Sequence, residues 1–206
     1  MKFLSYNSII NNHMISLREH LRDRIQAGFT VNKTRSNKII LFDLDDTIIH
    51  TTAEIMIMKD DKIVRRISNS EFNNYTLKPG ETFNFGEFDD PTILSNEKFT
   101  KYWNTLKREF NKGTHVGILT ARSNSNMIRR FFISKGIRIK EELIIAINDP
   151  KLGLTGTIQE KKAEAIKILA NVGYDLFIFF DDNEPNLKAA KELENTYNIK
   201  VQTVKV

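Results

Sequence analysis

The sequence predicts an α/β fold: a Rossmann-like parallel sheet with helices on both faces, plus a small β-hairpin or cap insertion after the first strand. Three observations predict it. Short continuous apolar runs recur at 38–44, 115–120, 143–147 and 176–180, as the buried strands of a parallel sheet require. Helical patterns of about ten to sixteen residues separate the later runs, which is the alternation of a parallel sheet. Between the first two runs lies a stretch with hairpin and turn signals in place of a single helix.

The elements follow in order. Lys38–Leu44 (KIILFDL) is apolar until its acidic end, so it is the first strand. Residues 54–58 and 63–67 are β-prone runs around Lys59-Asp60-Asp61-Lys62, which predicts a hairpin. From about 68 to 95, Pro79-Gly80, Gly86 and Asp89-Asp90-Pro91 predict irregular, turn-rich structure. Ser95 is expected to N-cap a helix over about 96–112, closed by Gly113. His115–Thr120 is the second strand, followed by a helix over about 124–135 that ends at Gly136. Leu143–Ile147 is the third strand. Thr157-Ile158-Gln159-Glu160 fits a capping box and opens a helix to about Asn171. Leu176–Phe180 is the fourth strand, Pro185 suits the first turn of a helix to about 195, and Lys200–Val204 offers a fifth strand.

Composition narrows the function classes. The chain has 206 residues, 40% hydrophobic and 28% charged, which suits one folded domain with a modest insertion. It has no Cys, so disulfide frameworks, thiolate nucleophiles and Cys-ligated zinc or iron–sulfur sites are excluded. No apolar run reaches the roughly 18 residues of a membrane-spanning helix. The N-terminal stretch lacks the continuous apolar segment of a secretory signal, so a cytoplasmic protein without a membrane partner is expected. The net charge of +5 sits entirely in residues 1–38, where seven Lys or Arg face Glu19 and Asp23. This basic extension, 1–37, carries Leu17, Leu21 and Ile25 at helical spacing and is expected to be partly helical. A solvated helix docked on the catalytic domain (38–206) is the plain account of it. Nucleic acid held through residues 1–38 is the functional one.

The chemistry gathers where strands end. Three of them end in polar residues, at Asp43/Asp45, at Thr120 and at Asp181/Asp182. In a doubly wound sheet the carboxyl ends of the strands border the ligand crevice. Carboxylates packed there repel one another unless a cation or proton compensates. Without Cys or clustered His, an all-oxygen site points to Mg²⁺. His13, His20, His50 and His115 show no metal-ligand spacing.

Phe42-Asp43-Leu44-Asp45-Asp46-Thr47 after an apolar strand resembles motif I (DxDxT) of the haloacid dehalogenase-like (HAD) superfamily. Ile118-Leu119-Thr120 resembles motif II, a lysine at the start of the following crossover helix motif III, and Phe179-Phe180-Asp181-Asp182 motif IV. All four occur in the family's order over roughly 38–206. Three, four and seven positions after Lys162 stand Ala165, Ile166 and Leu169, the family's apolar spacing. Lys161 is followed there by Glu164, Ala165 and Ile168, so Lys162 is favoured and Lys161 stays open as an alternative or a substrate contact.

The resemblance implies a Mg²⁺-dependent phosphomonoester hydrolase working through an aspartyl-phosphate. Asp43 would be the nucleophile and Asp45 the general acid/base. Thr120 would bond a phosphoryl oxygen, and the motif III lysine would offset charge. Asp43, the backbone carbonyl of Asp45, Asp181 and Asp182 would hold the metal. Asp46 and Thr47 would shape the turn, while Asn183 and Asn186 are as apt to be turn residues as ligands. Arg122 is a candidate phosphate contact and equally a candidate ion-pair partner. An acid at 45 is unnecessary for releasing halide, so phosphoryl chemistry is implied, with phosphotransfer open beside hydrolysis. The 77 positions from Asp43 to Thr120, against 42 from Thr120 to Lys162, place the extra chain at about 51–95. That implies a flap and a small cap of the kind the family calls C1. Such a cap admits a phosphorylated small molecule or nucleotide, and larger substrates too. Phe72, Tyr75, Phe83, Phe85 and Phe88 could stack on bases, although packing the cap is the commoner fate of such rings. The alternatives are a polynucleotide 3′-phosphatase using the basic arm and a non-catalytic binding protein of this fold.

Overall fold

The structure is a computed structural model that describes residues 37–72 and 74–206. The basic arm, its Leu17–Leu21–Ile25 stripe and the nucleic-acid contact expected there lie outside the described residues, save Asn37 and Lys38. In chain order come β1 (Lys38–Phe42), β2 (Ile49–His50), β3 (Ile55–Lys59), β4 (Lys62–Ile67), α1 (Asn69–Phe72) and β5 (Glu81–Asn84). Then follow α2 (Pro91–Asn96), β6 (Lys98–Phe99), α3 (Tyr102–Asn111), β7 (His115–Thr120) and α4 (Ser125–Ser134). The last five are β8 (Ile144–Ala146), α5 (Ile158–Asn171), β9 (Leu176–Asp181), α6 (Glu184–Glu192) and β10 (Lys200–Lys205). Among the described residues no helix is long and apolar enough to cross a membrane.

Five strands form one parallel sheet in the order β10–β9–β1–β7–β8, flanked by helices. The central strand β1 is apolar because both its faces are covered: Ile39 to Phe42 are all buried. From β1 the chain builds outward through β7 to β8, then crosses back to lay β9 on the other side of β1 and β10 beyond it. The reversal makes the carboxyl end of β1 a topological switch point, the place where such sheets open a crevice. The β1–β9 register pairs Phe42 with Phe180 and stacks their rings 4.6 Å apart. The next residue on each strand is therefore an aspartate beside an aspartate, Asp43 and Asp181.

The helix ends follow the sequence closely. Asn124 caps α4 by accepting the Met127 N–H at 3.0 Å, and Gly136 turns the chain out of it at φ +81°. Thr157 and Glu160 form the capping box of α5, and Pro185 sits in the first turn of α6. Along α5, Lys162 lies on the same helical face as the buried Ala165, Ile166 and Leu169, so the stripe that packs the helix also turns Lys162 inward.

Between β1 and β7 the structure departs from expectation in two ways. The stretch 68–95 is not merely irregular. It holds α1, α2 and a third strand, β5, which pairs antiparallel with β3 to complete a sheet of order β4–β3–β5. β5 (ETFN) alternates half-buried and exposed residues over only four positions, so it carries little apolar signal. Ser95 is not a helix cap either. Asp90 caps α2 by accepting the Thr92 N–H at 2.7 Å, with Pro91 in the first turn, and Ser95 donates to the Pro91 carbonyl at 2.6 Å. The strand β6 intervenes before α3 begins at Tyr102.

The insertion leaves the main sheet through a two-stranded neck. β2 pairs antiparallel with β6, Ile49 opposite Phe99 and His50 opposite Lys98. The buried Glu97 fastens the neck: its Oε1 accepts the Thr52 N–H at 2.6 Å and both the Thr52 and Thr51 hydroxyls. Beyond the neck, Asp60 and Asp61 take φ of +49° and +58°, both central residues being left-handed as a tight hairpin turn demands. Ala53, Ile55, Ile57, Ile67 and Phe88 form a small core of the insertion's own.

Gly117, in the middle of β7, is set by close approach. A Cβ there would come within 2.9 Å of the Leu143 carbonyl oxygen and of Leu41 Cδ2. Gly117→Ala is therefore expected to destabilise the fold by about 1–3 kcal/mol, read as a fall in Tm of several degrees on thermal unfolding. An unchanged Tm would show that β7 and the chain before β8 are not packed this closely.

Candidate functional site

Asp43 stands one residue past β1, tied to the neighbouring strand by its N–H, which donates to the Phe180 carbonyl at 2.9 Å. Asp181 ends β9 and is fully buried. Between the two carboxylates lies the ammonium of Lys162, 2.8 Å from Asp43 Oδ1 and 2.7 Å from Asp181 Oδ2. The lysine reaches them from α5 and is itself buried, as its apolar spacing requires. Lys161, the alternative, points elsewhere and donates to Asn148 Oδ1 at 2.8 Å.

Asp181 has further partners that hold it in place. The Asn183 N–H donates to Oδ1 at 2.8 Å, and Asn186 Nδ2 donates at 3.0 and 3.2 Å. Asn186 is buried in the first turns of α6, so it orients the aspartate in addition to any part in the turn. Asp182 lies beside the cavity, and one carboxylate oxygen from each of Asp43, Asp181 and Asp182 lies within 4.8 Å of the others.

Asp45, two residues after Asp43, belongs to a second pair. Arg122 forks onto it, Nη2 to Oδ1 at 2.7 Å and Nε to Oδ2 at 3.0 Å. The guanidinium also donates from Nη1 to the Phe88 carbonyl and lies over the Phe88 ring, 5.3 Å from its centroid. Of the two roles expected for Arg122, the ion pair is the one present, and it is a buried pair at the cavity wall rather than a surface one. Next to it, Ser123 donates to both carboxylate oxygens of Asp89, at 2.8 and 2.7 Å. The loop after β7 thus grips the insertion at two successive residues. Nothing in the composition of Phe88-Asp89 signals this, because one of the contacts is made by a backbone carbonyl.

The remaining expected residues are placed as follows. Thr120 ends β7, fully buried, with its hydroxyl accepting the Arg122 N–H at 3.3 Å; it is not part of the cavity wall. Asp46 shapes the turn as expected. It sits at φ +57° and accepts from the Thr51 N–H at 3.3 Å and from Asn69 Nδ2 at 3.0 Å. Thr47 is buried in the same turn, and its carbonyl accepts the Thr100 hydroxyl.

A cavity of about 770 Å³ opens over these strand ends. Asp43, Asp45, Lys162 and Asp182 line one side of it, and Ile55, Phe72, Phe85 and Phe88 from the insertion line another.

The electrostatics of the floor are those of an acidic cluster short of cations. Burial pushes the Asp43 carboxyl well above the ordinary carboxylate range; Asp181 and Asp45 add to the rise and Lys162 opposes it. Burial, then Asp181 and Asp46, push Asp182 up to about 6. Burial alone would discharge Lys162, but Asp43 and Asp181 outweigh it and hold the ammonium charged. Asp43, Asp45, Asp181 and Asp182 thus have Arg122 and Lys162 as their direct ion-pair partners, an excess of negative charge that Lys205, acting on Asp182 from beyond ion-pair distance, only partly offsets. Closely spaced oxygen donors with that excess fit a hard divalent cation.

No protein-family model, no curated protein and no solved structure matches the chain.

Saturating Mg²⁺ is expected to raise the unfolding temperature. At about 100 times Kd the gain is about 2.7 kcal/mol, or about 5–10 °C for a domain of this size. Asp181→Asn, compared with its own metal-free transition, is expected to lose that shift. A wild type indifferent to Mg²⁺ would mean that Lys162 and the asparagine hydrogen bonds alone hold the acids together.

Proposed function

We propose that the protein is a Mg²⁺-dependent phosphomonoester hydrolase of the HAD-like type, working through an aspartyl-phosphate on Asp43. The observation that carries this reading is the seating of one buried lysine between two aspartates at adjacent strand ends. A charge relay for structure alone would need neither the third carboxylate, Asp182, nor a second aspartate held two residues from the first. Asp43, Asp181 and Asp182, with the backbone carbonyl of Asp45, would hold the metal. Bound there, Mg²⁺ would neutralise phosphoryl charge and let a carboxylate approach phosphorus.

The chain's own groups would divide the work as follows. A carboxylate oxygen of Asp43 forms a bond to phosphorus while the bond from phosphorus to the leaving oxygen breaks. Lys162 keeps Asp43 turned toward the cavity and spreads charge between it and Asp181. Asp45 delivers a proton to the leaving oxygen, then takes one from the water that attacks phosphorus and frees Asp43. Each oxygen of Asp45 that accepts from Arg122 keeps a second lone pair for this exchange. Arg122 is a positioning residue: its fork fixes the plane of the Asp45 carboxylate, and its bond to the Phe88 carbonyl ties that plane to the seating of the insertion. The pattern of four motifs, three at strand ends and one near the start of α5, supports the family assignment, and the small three-stranded insertion fits the cap it implies.

Release of phosphate from a generic aryl phosphate is expected to require Mg²⁺ and to fall by roughly 10³-fold or more in Asp43→Asn. Loss of Asp45 should tell leaving groups apart. In kcat/KM, which reports only the steps up to release of the alcohol, Asp45→Asn is expected to cost about 10²–10⁴-fold on an alkyl phosphate, whose alcohol must be protonated, and far less on p-nitrophenyl phosphate. Arg122→Lys is expected to show the same bias at smaller size. An equal loss on both substrates would assign Arg122 to packing alone. Full activity in Asp43→Asn would end the proposal.

A further inference from the structure

We infer that the site takes a phosphate monoester whose alcohol carries a flat aromatic ring, with Phe85 as the surface on which that ring stacks; the inference rests on the phosphomonoesterase reading. On that reading the leaving oxygen lies on the Asp45 side of the cavity, since Asp45 protonates it. Behind Asp45 stands Arg122, and over Arg122 lies the Phe88 ring. From there the rings continue outward. The Phe85 centroid is 6.4 Å from that of Phe88, and Phe72 meets Phe85 at 5.5 Å and 84°, edge to face. Asp45, Phe72, Phe85 and Phe88 line the same cavity, so a group leaving on the Asp45 side has a phenylalanine wall to lie against.

The charges along the cavity point the same way. Its wall carries the carboxylates of Asp43, Asp45, Asp89 and Asp182. The two cations in the wall, Arg122 and Lys162, already donate to carboxylates. A second phosphate on the substrate would meet acids there, whereas an uncharged ring meets an apolar face.

Phe85 is the ring that distinguishes a binding wall from a packed cap. Phe72, Tyr75, Phe83 and Phe88 all belong to the insertion's small core. Phe85 shares edges with three of them yet remains 45% exposed, beside the acids. A large apolar surface held out of its own core at the mouth of a cavity suits a ligand that completes its burial. Stacking of a base on one aromatic side chain corresponds to about 5- to 150-fold in affinity.

Matched pairs test this, because they keep the phosphate and its primary alcohol and change only the ring. Adenosine 5′-monophosphate against ribose 5-phosphate reports a heterocyclic base; benzyl phosphate against ethyl phosphate reports a simple arene. The full chain with Mg²⁺ is assayed by kcat/KM, or by calorimetric Kd for any compound not turned over. The ring-bearing member of at least one pair is expected to be favoured about 10-fold or more. Phe85→Ala should bring that ratio to within about threefold, and Phe85→Trp should retain it. Ratios near one in wild type for both pairs, or a ratio that survives in Phe85→Ala, would overturn the proposal. The two readings part cleanly. Asp43-dependent turnover of all four compounds at equal efficiency would overturn the ring site and leave the hydrolase standing. A Phe85-dependent preference in Kd without turnover would keep the ring site and overturn the hydrolase.

Discussion

The parallel register of β1 and β9 sets the terms for everything around it. Pairing Phe42 with Phe180 commits the next two residues, Asp43 and Asp181, to lie side by side in a place from which water is largely excluded. Two buried carboxylates at that spacing are unstable unless something positive is brought to them. Lys162 is that group, and its presence fixes more than charge. It must arrive from a helix whose apolar stripe already packs on the sheet, so α5 is held both by burial of Ala165, Ile166 and Leu169 and by two charged hydrogen bonds. Asn186 does the same for α6 by donating to Asp181. Two helices are thereby registered against the strand ends by the polar groups they deliver, which is why the floor of the cavity and the core beneath it are one construction.

A second network runs from the floor into the insertion. Arg122 binds Asp45 with one side of its guanidinium and the Phe88 carbonyl with another, while Ser123 takes Asp89. Further out, Arg66 donates to Glu87, which in turn accepts the Glu54 N–H at 2.8 Å. These contacts are polar and few, and the insertion's apolar core is separate from the main one. The insertion is thus located by hydrogen bonds with defined directions together with α2, whose Leu94 is buried in the main core. Asp45 and the cap wall consequently answer to the same arginine.

What could be seen in the sequence, and what could not, divides along physical lines. The strands KIILF, HVGILT and LFIFFD are buried on both sides, so their apolar runs declared them, and the acids at their ends stood out as polar residues where burial was expected. The apolar spacing of the family that the chain resembles favours Lys162 over Lys161, and in the fold that spacing is the buried face of α5. β5 was not legible: a half-exposed edge strand of four residues owes its form to pairing with β3. Nor was the destination of Arg122. An arginine after a strand can serve a phosphate or a carboxylate equally well, and only the fold brings Asp45 within reach, 77 positions away in the chain. Contacts that end on a backbone carbonyl, such as that of Phe88, leave no trace in residue type at all.

The neck fastened by Glu97 separates the cost of folding from the shape of the cavity wall. Because β2, β6 and the Glu97 hydrogen bonds hold both ends of the inserted chain together, the main sheet experiences it as a closed loop of fixed mouth. Closing such a loop depends only logarithmically on its length, so doubling it would cost about 0.6 kcal/mol. An evolving lineage could therefore lengthen the segment between Thr51 and Glu97 at little entropic cost, provided that Leu94 and the contacts of Phe88 and Asp89 with Arg122 and Ser123 are kept. The neck leaves the rest of the insertion free to vary in length, so variation in the shape of the cavity wall would be inherited through that segment while the strand ends stay as they are.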